Sequence, residues 1–180
     1  MRALVIYESM FGNTKRVADA IADGIAPRCV VETVEVSHAP IEIPADIDLL
    51  VIGGPTHVHG MTTVRSRASA VERTPAPLIS RGIGIREWLE QARPAVRDLP
   101  AAAFDTRIKA PALLTGSAAS GFAKRLRSAG FRLIAGARSF LVARDGPVDD
   151  LLIEGELEAA RAWGETLAVQ LASKREAVTA

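Results

Sequence analysis

Two short runs, residues 3–6 (Ala-Leu-Val-Ile) and residues 49–52 (Leu-Leu-Val-Ile), are apolar at every position. A strand that meets solvent on one face alternates apolar with polar residues, whereas a short unbroken apolar run belongs to a strand covered on both faces. Such covering requires helices, and the chain alternates helical patterns with its strand candidates. Residues 15–25 place Val17, Ile21, Gly24 and Ile25 on one face, and residues 83–91 place Ile85, Trp88 and Leu89 together. Residues 121–129 do the same with Phe122, Leu126 and Ala129, and residues 156–171 with Leu157, Ala160, Gly164, Leu167 and Leu171. Three further strands are expected. Residues 29–36 carry Glu32 and Glu35 and suit a position nearer the edge, residues 101–106 form a fourth strand, and residues 131–135 with 140–143 form a fifth, interrupted at Gly136. The helix due between the second and third strands is missing or reduced to one turn within residues 43–48.

Strands alternating with helices predict an α/β fold with right-handed crossovers. The economical form is a doubly wound, five-stranded parallel sheet of order 2-1-3-4-5 with helices on both faces. A length of 180 residues with 48% hydrophobic content suits a single domain, expected over residues 1–172, with a fraying polar tail at 173–180. Lys and Arg total 22 against 21 for Asp and Glu, so net charge gives no drive toward nucleic acid or membrane. No apolar run reaches the roughly 18 residues of a membrane span, and Met1-Arg2 lead straight into a strand without a signal-peptide pattern, which predicts a cytoplasmic protein. Cys29 is alone, so intramolecular disulfides and cysteine-based metal sites drop out, and it reads as a small apolar filler.

In such sheets ligands sit beyond the carboxyl ends of the strands, at the point where the strand order reverses. Attention therefore falls on three loops: residues 8–14, 53–81 and 105–117. The first reads ESMFGNT and opens the first helix. A helix N-terminus offers unpaired N–H groups and the positive end of its dipole, both suited to phosphate. Ser9, Asn13 and Thr14 add side-chain donors, and Gly12 lets the backbone close tightly. An ordinary helix cap at Gly12 or Asn13 is the competing reading. The loop has neither the lysine of a nucleoside-triphosphate cradle nor the three glycines of a dinucleotide fingerprint. A phosphoacceptor receiver domain is disfavoured too, because Glu8 stands alone at the end of the first strand. In the second loop, Gly53-Gly54-Pro55 ends a buried strand sharply, and Gly60 permits close backbone approach to a flat ring. His57 and His59 alternate in an extended segment, so one at most faces inward. The stretch 56–81 has no strong periodicity and is the length at which loops tend to be functional. Its arginines, Arg65, Arg67, Arg73 and Arg81, read as a solvated charged surface. Gly82-Ile83-Gly84-Ile85 and Gly116-Ser117-Ala118 each read as the start of a helix, and Trp88 and Trp163 as packing residues.

YESMFGNT followed by KRVADAIADGI, with DLLVIGGPTHVHGM after the third strand and the ending ELEAARAWGETLA, resembles the flavodoxin family, its small actinobacterial type in particular. The resemblance implies an FMN cofactor. Ser9, Met10, Phe11, Gly12, Asn13 and Thr14 would hold the phosphate, and Pro55, Thr56, His57, Val58, His59, Gly60 and Met61 would border the isoalloxazine. Thr106, Arg107, Gly116 and Ser117 would form the third loop. The chain departs from the family at Phe11, where a hydroxyl is usual, and in having no Trp or Tyr in residues 55–61 to flank the ring. That second departure predicts a less extreme low potential. The resemblance implies an electron-transfer protein with a redox partner protein. The alternatives are an NAD(P)H-dependent reductase of a quinone or other small acceptor, and a module of this fold that has lost FMN. The balanced charge contrasts with the acidic surface usual in carrier flavodoxins.

Overall fold

A computed structural model describes residues 1–57, 60–73, 79–110, 116–144 and 150–179. Strand β1 (Arg2–Tyr7) lies between β2 (Val30–Glu35) and β4 (Leu49–His57), and β4 is followed in the sheet by β7 (Pro100–Ile108) and β9 (Arg138–Arg144), all parallel. Counted along the chain, these are the five strands of the expected 2-1-3-4-5 order. The unbroken apolar runs have a direct cause in β1. Ala3, Val5 and Tyr7 pack on one face with Val17, Ile21 and Ile25 of helix α1 (Asn13–Ile25) and with Ala160 and Leu167 of the closing helix. Leu4 and Ile6 pack on the other face with Ile85, Trp88, Phe122 and Leu126.

The interruption at Gly136 divides the fifth strand. Short β8 (Arg132–Leu133) pairs with the start of β7 at Pro100 and Ala101, and β9 takes over from Phe104 onward. Beyond it lies a strand the sequence reading omits, β10 (Asp150–Leu152), antiparallel to β9. Three residues bearing an aspartate give no period to detect. A second small pairing joins β3 (Glu42–Ile43) to β6 (Arg93–Pro94).

The stretch expected to be a long loop contains structure. After β4 the chain turns back through β5 (Gly60–Met61), forms helix α2 (Val64–Arg73), and reaches the short α3 (Ile85–Trp88). Thr63 precedes helix α2 and caps it: its hydroxyl accepts from Ser66 N–H at 3.1 Å while Thr63 N–H donates to Ser66 Oγ at 2.9 Å. Helix α4 (Ala118–Ser128) opens at Gly116-Ser117-Ala118 as expected, three residues before the apolar spacing at 121–129, with Ser117 accepting from Ser120 N–H at 3.2 Å. The last helix, α5 (Glu156–Thr179), runs on through the residues expected to fray, because Ala172, Lys174, Arg175, Glu176 and Ala177 are good helix formers uninterrupted by Gly or Pro. It meets α1 at Gly24 and Gly164, where a Cβ would lie 2.0 Å from Arg161 O and 2.2 Å from Ile21 O respectively. No helix among the described residues is long and apolar enough to cross a membrane.

Candidate functional site

The loop between β1 and α1 curls around its own first hydroxyl. Ser9 Oγ accepts from the N–H groups of Gly12 at 3.2 Å and Lys15 at 3.3 Å, and Gly12 turns the chain at φ 98°, in the left-handed region that favours glycine. No acidic side chain occupies the first turn of α1, which suits an anion at the positive end of its dipole. Thr14 is buried, and its hydroxyl hydrogen-bonds that of Thr106 at 2.7 Å, tying the first loop to the third. Phe11 is 42% exposed at the loop's outer edge.

The second and third loops are knotted together by Asp105. One of its carboxylate oxygens accepts from Thr56 Oγ1 at 2.9 Å, Ser117 Oγ at 2.8 Å and Ala119 N–H at 2.9 Å. Thr56 Oγ1 in turn accepts from Ala118 N–H at 2.9 Å. A fully buried carboxylate at the start of α4 is thus held by three donors, two of them on the helix start itself. The hydroxyls of Thr56 and Ser117 serve this anchor. Directly beneath, Gly53 leaves room for the Phe104 ring, which a Cβ would strike at 2.1 Å.

Above the anchor opens a cleft at the carboxyl ends of β1, β4 and β7. Its walls are Met10, Phe11, Asn13 and Thr14 from the first loop, Pro55, Thr56 and His57 from the second, and Thr106 and Arg107 from the third. Ile108 of β7 and Val142 of β9, absent from the expected set, complete it. Ser9, Gly12, Gly60, Met61, Gly116 and Ser117 do not line it. Met61 packs toward α4, where a Cβ at Gly121 would touch it at 3.3 Å. Val58 and His59 lie outside the described residues. Among the described residues, no group of three or more His, Cys, Asp or Glu could hold a metal ion.

No protein-family model matches the chain, and no curated protein matches it in sequence. Solved structures do match. Flavodoxin 1 from Bacillus cereus superimposes with a TM-score of 0.65 at 17% identity, covering 96% of this chain and 98% of that one. A flavodoxin from the domain Archaea gives 0.62 at 18% identity over 95% and 99%. This chain has the flavodoxin fold. A WrbA-like flavodoxin from Agrobacterium tumefaciens is also similar, with a TM-score of 0.53, 15% identity and coverage of 96% and 98%.

In this flavodoxin fold the excursion between β4 and β7 is fastened to the end of β1 by a buried charged cluster. Glu8 is fully buried; one oxygen accepts from Thr62 Oγ1 at 2.5 Å and the other from Ile85 N–H at 2.9 Å. Arg67, only 9% exposed, lies 3.8 Å from Glu8 and 3.0 Å from Glu87. Burial pushes the Glu8 carboxyl above its ordinary value, opposed by the Thr62 and Ile85 hydrogen bonds and by the Arg67 charge, and reinforced by the negative charge of Glu87. Arg86 donates to the carbonyls of Thr62 and Met61 at 2.9 and 3.0 Å, closing the cluster over the hairpin. Arg65 and Arg81 are exposed as expected, but Arg67 is not part of a solvated surface. Its burial follows from a carboxylate that only the folded chain brings to it. Gly84 keeps the cluster compact, since a Cβ there would meet Arg67 at 2.3 Å and Glu8 at 2.8 Å.

Proposed function

We propose that this protein binds FMN non-covalently in the strand-end cleft and acts as an electron-transfer protein. The observation that carries this reading is the convergence of all three loops on one cleft at the reversal of strand order. The residues suit the cofactor. The phosphate would sit at the start of α1, where Asn13, Thr14 and the N–H groups of the first turn lie beside the turn at Gly12. The ring would lie among Pro55, Thr56, His57, Thr106, Arg107, Ile108 and Val142. Bound flavin supplies the capacity to accept and release electrons. The chain's own part is to hold and orient it: the Thr14–Thr106 bond and the Asp105 anchor keep the walls fixed, while Ile108 and Val142 exclude water from one side.

The alternative of an NAD(P)H-dependent reductase draws on one observation. Among the described residues, Phe11 is the only Phe, Tyr or Trp in the cleft wall, and it lies in the first loop, so no large described ring would cover the flavin. An uncovered face suits a second ring stacking on it. Addition of FMN to the purified apoprotein tests the first reading: shifted absorption bands with quenched fluorescence are expected, and unaltered free-flavin spectra would refute it and favour a module without cofactor. Turnover of NADPH with a quinone by the loaded protein would favour the reductase, and reduction only through a separate reductase would favour the carrier.

A further inference from the structure

We propose that Ser80 is a positioning residue of the phosphate-binding loop, gripping it from behind through the excursion between β4 and β7. The inference deepens the FMN reading and rests on it. Ser80 stands 71 residues from Ser9 in sequence, yet the two are locked face to face. Ser9 N–H donates to Ser80 Oγ at 2.9 Å, and Ser80 N–H donates back to the Ser9 carbonyl at 2.8 Å. Ile79 N–H donates to the Met10 carbonyl at 3.2 Å, so residues 79–80 run along Ser9 and Met10 like a strap.

Both serines are closed to solvent, Ser9 at 0% and Ser80 at 1%, and neither lines the cleft. The strap therefore sits outside the ligand's space and acts through the loop backbone. Ser9 passes the constraint inward, because its hydroxyl accepts from Gly12 and Lys15, the residues that shape the curl. The strap is itself anchored farther along, where Ile85 N–H donates to Glu8, the residue immediately before Ser9. The loop is thus restrained at three successive residues, Glu8, Ser9 and Met10, by one excursion. Donors aimed at a phosphate contribute most when they need no rearrangement on binding. Removing the Ser80 hydroxyl leaves the Ser9 N–H buried without an acceptor, and the loop must loosen to find one.

The test compares FMN with riboflavin, which has the same ring and no phosphate, by fluorescence titration of the full-length apoprotein. Ser80→Ala is expected to weaken FMN by about tenfold, the scale of one lost hydrogen bond, and riboflavin by no more than about twofold. Ser80→Thr keeps the hydroxyl and is expected to keep FMN affinity. Should Ser80→Ala fail to fold, Ser80→Cys retains the shape with a weaker acceptor and carries the same expectation. FMN binding by Ser80→Ala at or above wild-type strength would overturn the proposal, as would equal weakening of FMN and riboflavin, which marks general damage. A wild-type protein that takes up neither flavin overturns the FMN reading and this proposal together, whereas a failure confined to the variants leaves the FMN reading standing.

Discussion

Replacing Gly164 by alanine sets two effects of opposite sign against each other. In an isolated helix the change stabilises by about 1 kcal/mol, because alanine restricts the unfolded chain and suits the helix interior. Here the new Cβ would stand 2.2 Å from Ile21 O and 3.1 Å from Ile21 C, all backbone atoms of α1 that no rotamer change can move aside. Restoring ordinary contact forces α1 and α5 apart by about 1 Å, and a gap of that size forfeits a quarter to a half of each dispersion contact along the seam. Overpacking of this kind costs on the order of 3 kcal/mol, so the net expectation is a loss of about 2 kcal/mol. For a chain of this size that lowers Tm by roughly 4–8 °C. Gly24→Ala meets the same obstacle at 2.0 Å, and the double variant should lose less than the sum, since one separation of the helices accommodates both methyls. Gly136→Ala, with no atom within 4 Å of its Cβ, serves as the neutral control. Thermal melts read the four variants against wild type. A Gly164→Ala protein as stable as wild type or more so would refute the close backbone seam.

Two further expectations concern the cluster at the end of β1. Arg67→Met strands Glu8 and Glu87 without their cation and should cost about 3 kcal/mol at neutral pH in urea unfolding. The loss should shrink in acid, as Glu8 takes up its proton. Because the folded Glu8 carboxyl titrates above its ordinary value of 4.5, its contribution to stability is complete below pH 4.5 and is lost as pH rises through the higher folded value. Glu8→Gln should therefore flatten the decline of stability on the alkaline side of pH 4.5, and an unchanged slope would contradict the assignment.

The placement of the first loop was legible because its neighbours are local: an apolar strand, a turn glycine and an amphipathic helix lie within one stretch, residues 3–25. Helix α2 was not. Among its described side chains Val64 and Ala68 are exposed and Arg67 is buried, so residues 64–68 show no apolar stripe, and the surviving clue is the Thr63–Ser66 cap. Asp105 escaped notice for a similar reason. Its partners come from two distant segments, Thr56 from β4 and Ser117 with Ala119 from the start of α4, and no local spacing within β7 announces them.

By itself the sequence determined the five parallel strands, their order and the strand ends at which the cleft opens, since burial on both faces leaves a composition readable over a few residues. It also set Gly24 and Gly164 on helix faces. Only the tertiary structure decided which residues serve the cleft and which serve its scaffold: Thr56 reaches both, Ser9 and Ser117 turn to the scaffold, and Ile108 and Val142 line the wall. It likewise paired Glu8 with Arg67 and Ser9 with Ser80. The physical reason is range. Periodicity records the contact of a segment with a core of any composition, while a buried charge or an unpaired N–H needs one particular partner, and the fold alone determines which distant residue arrives there.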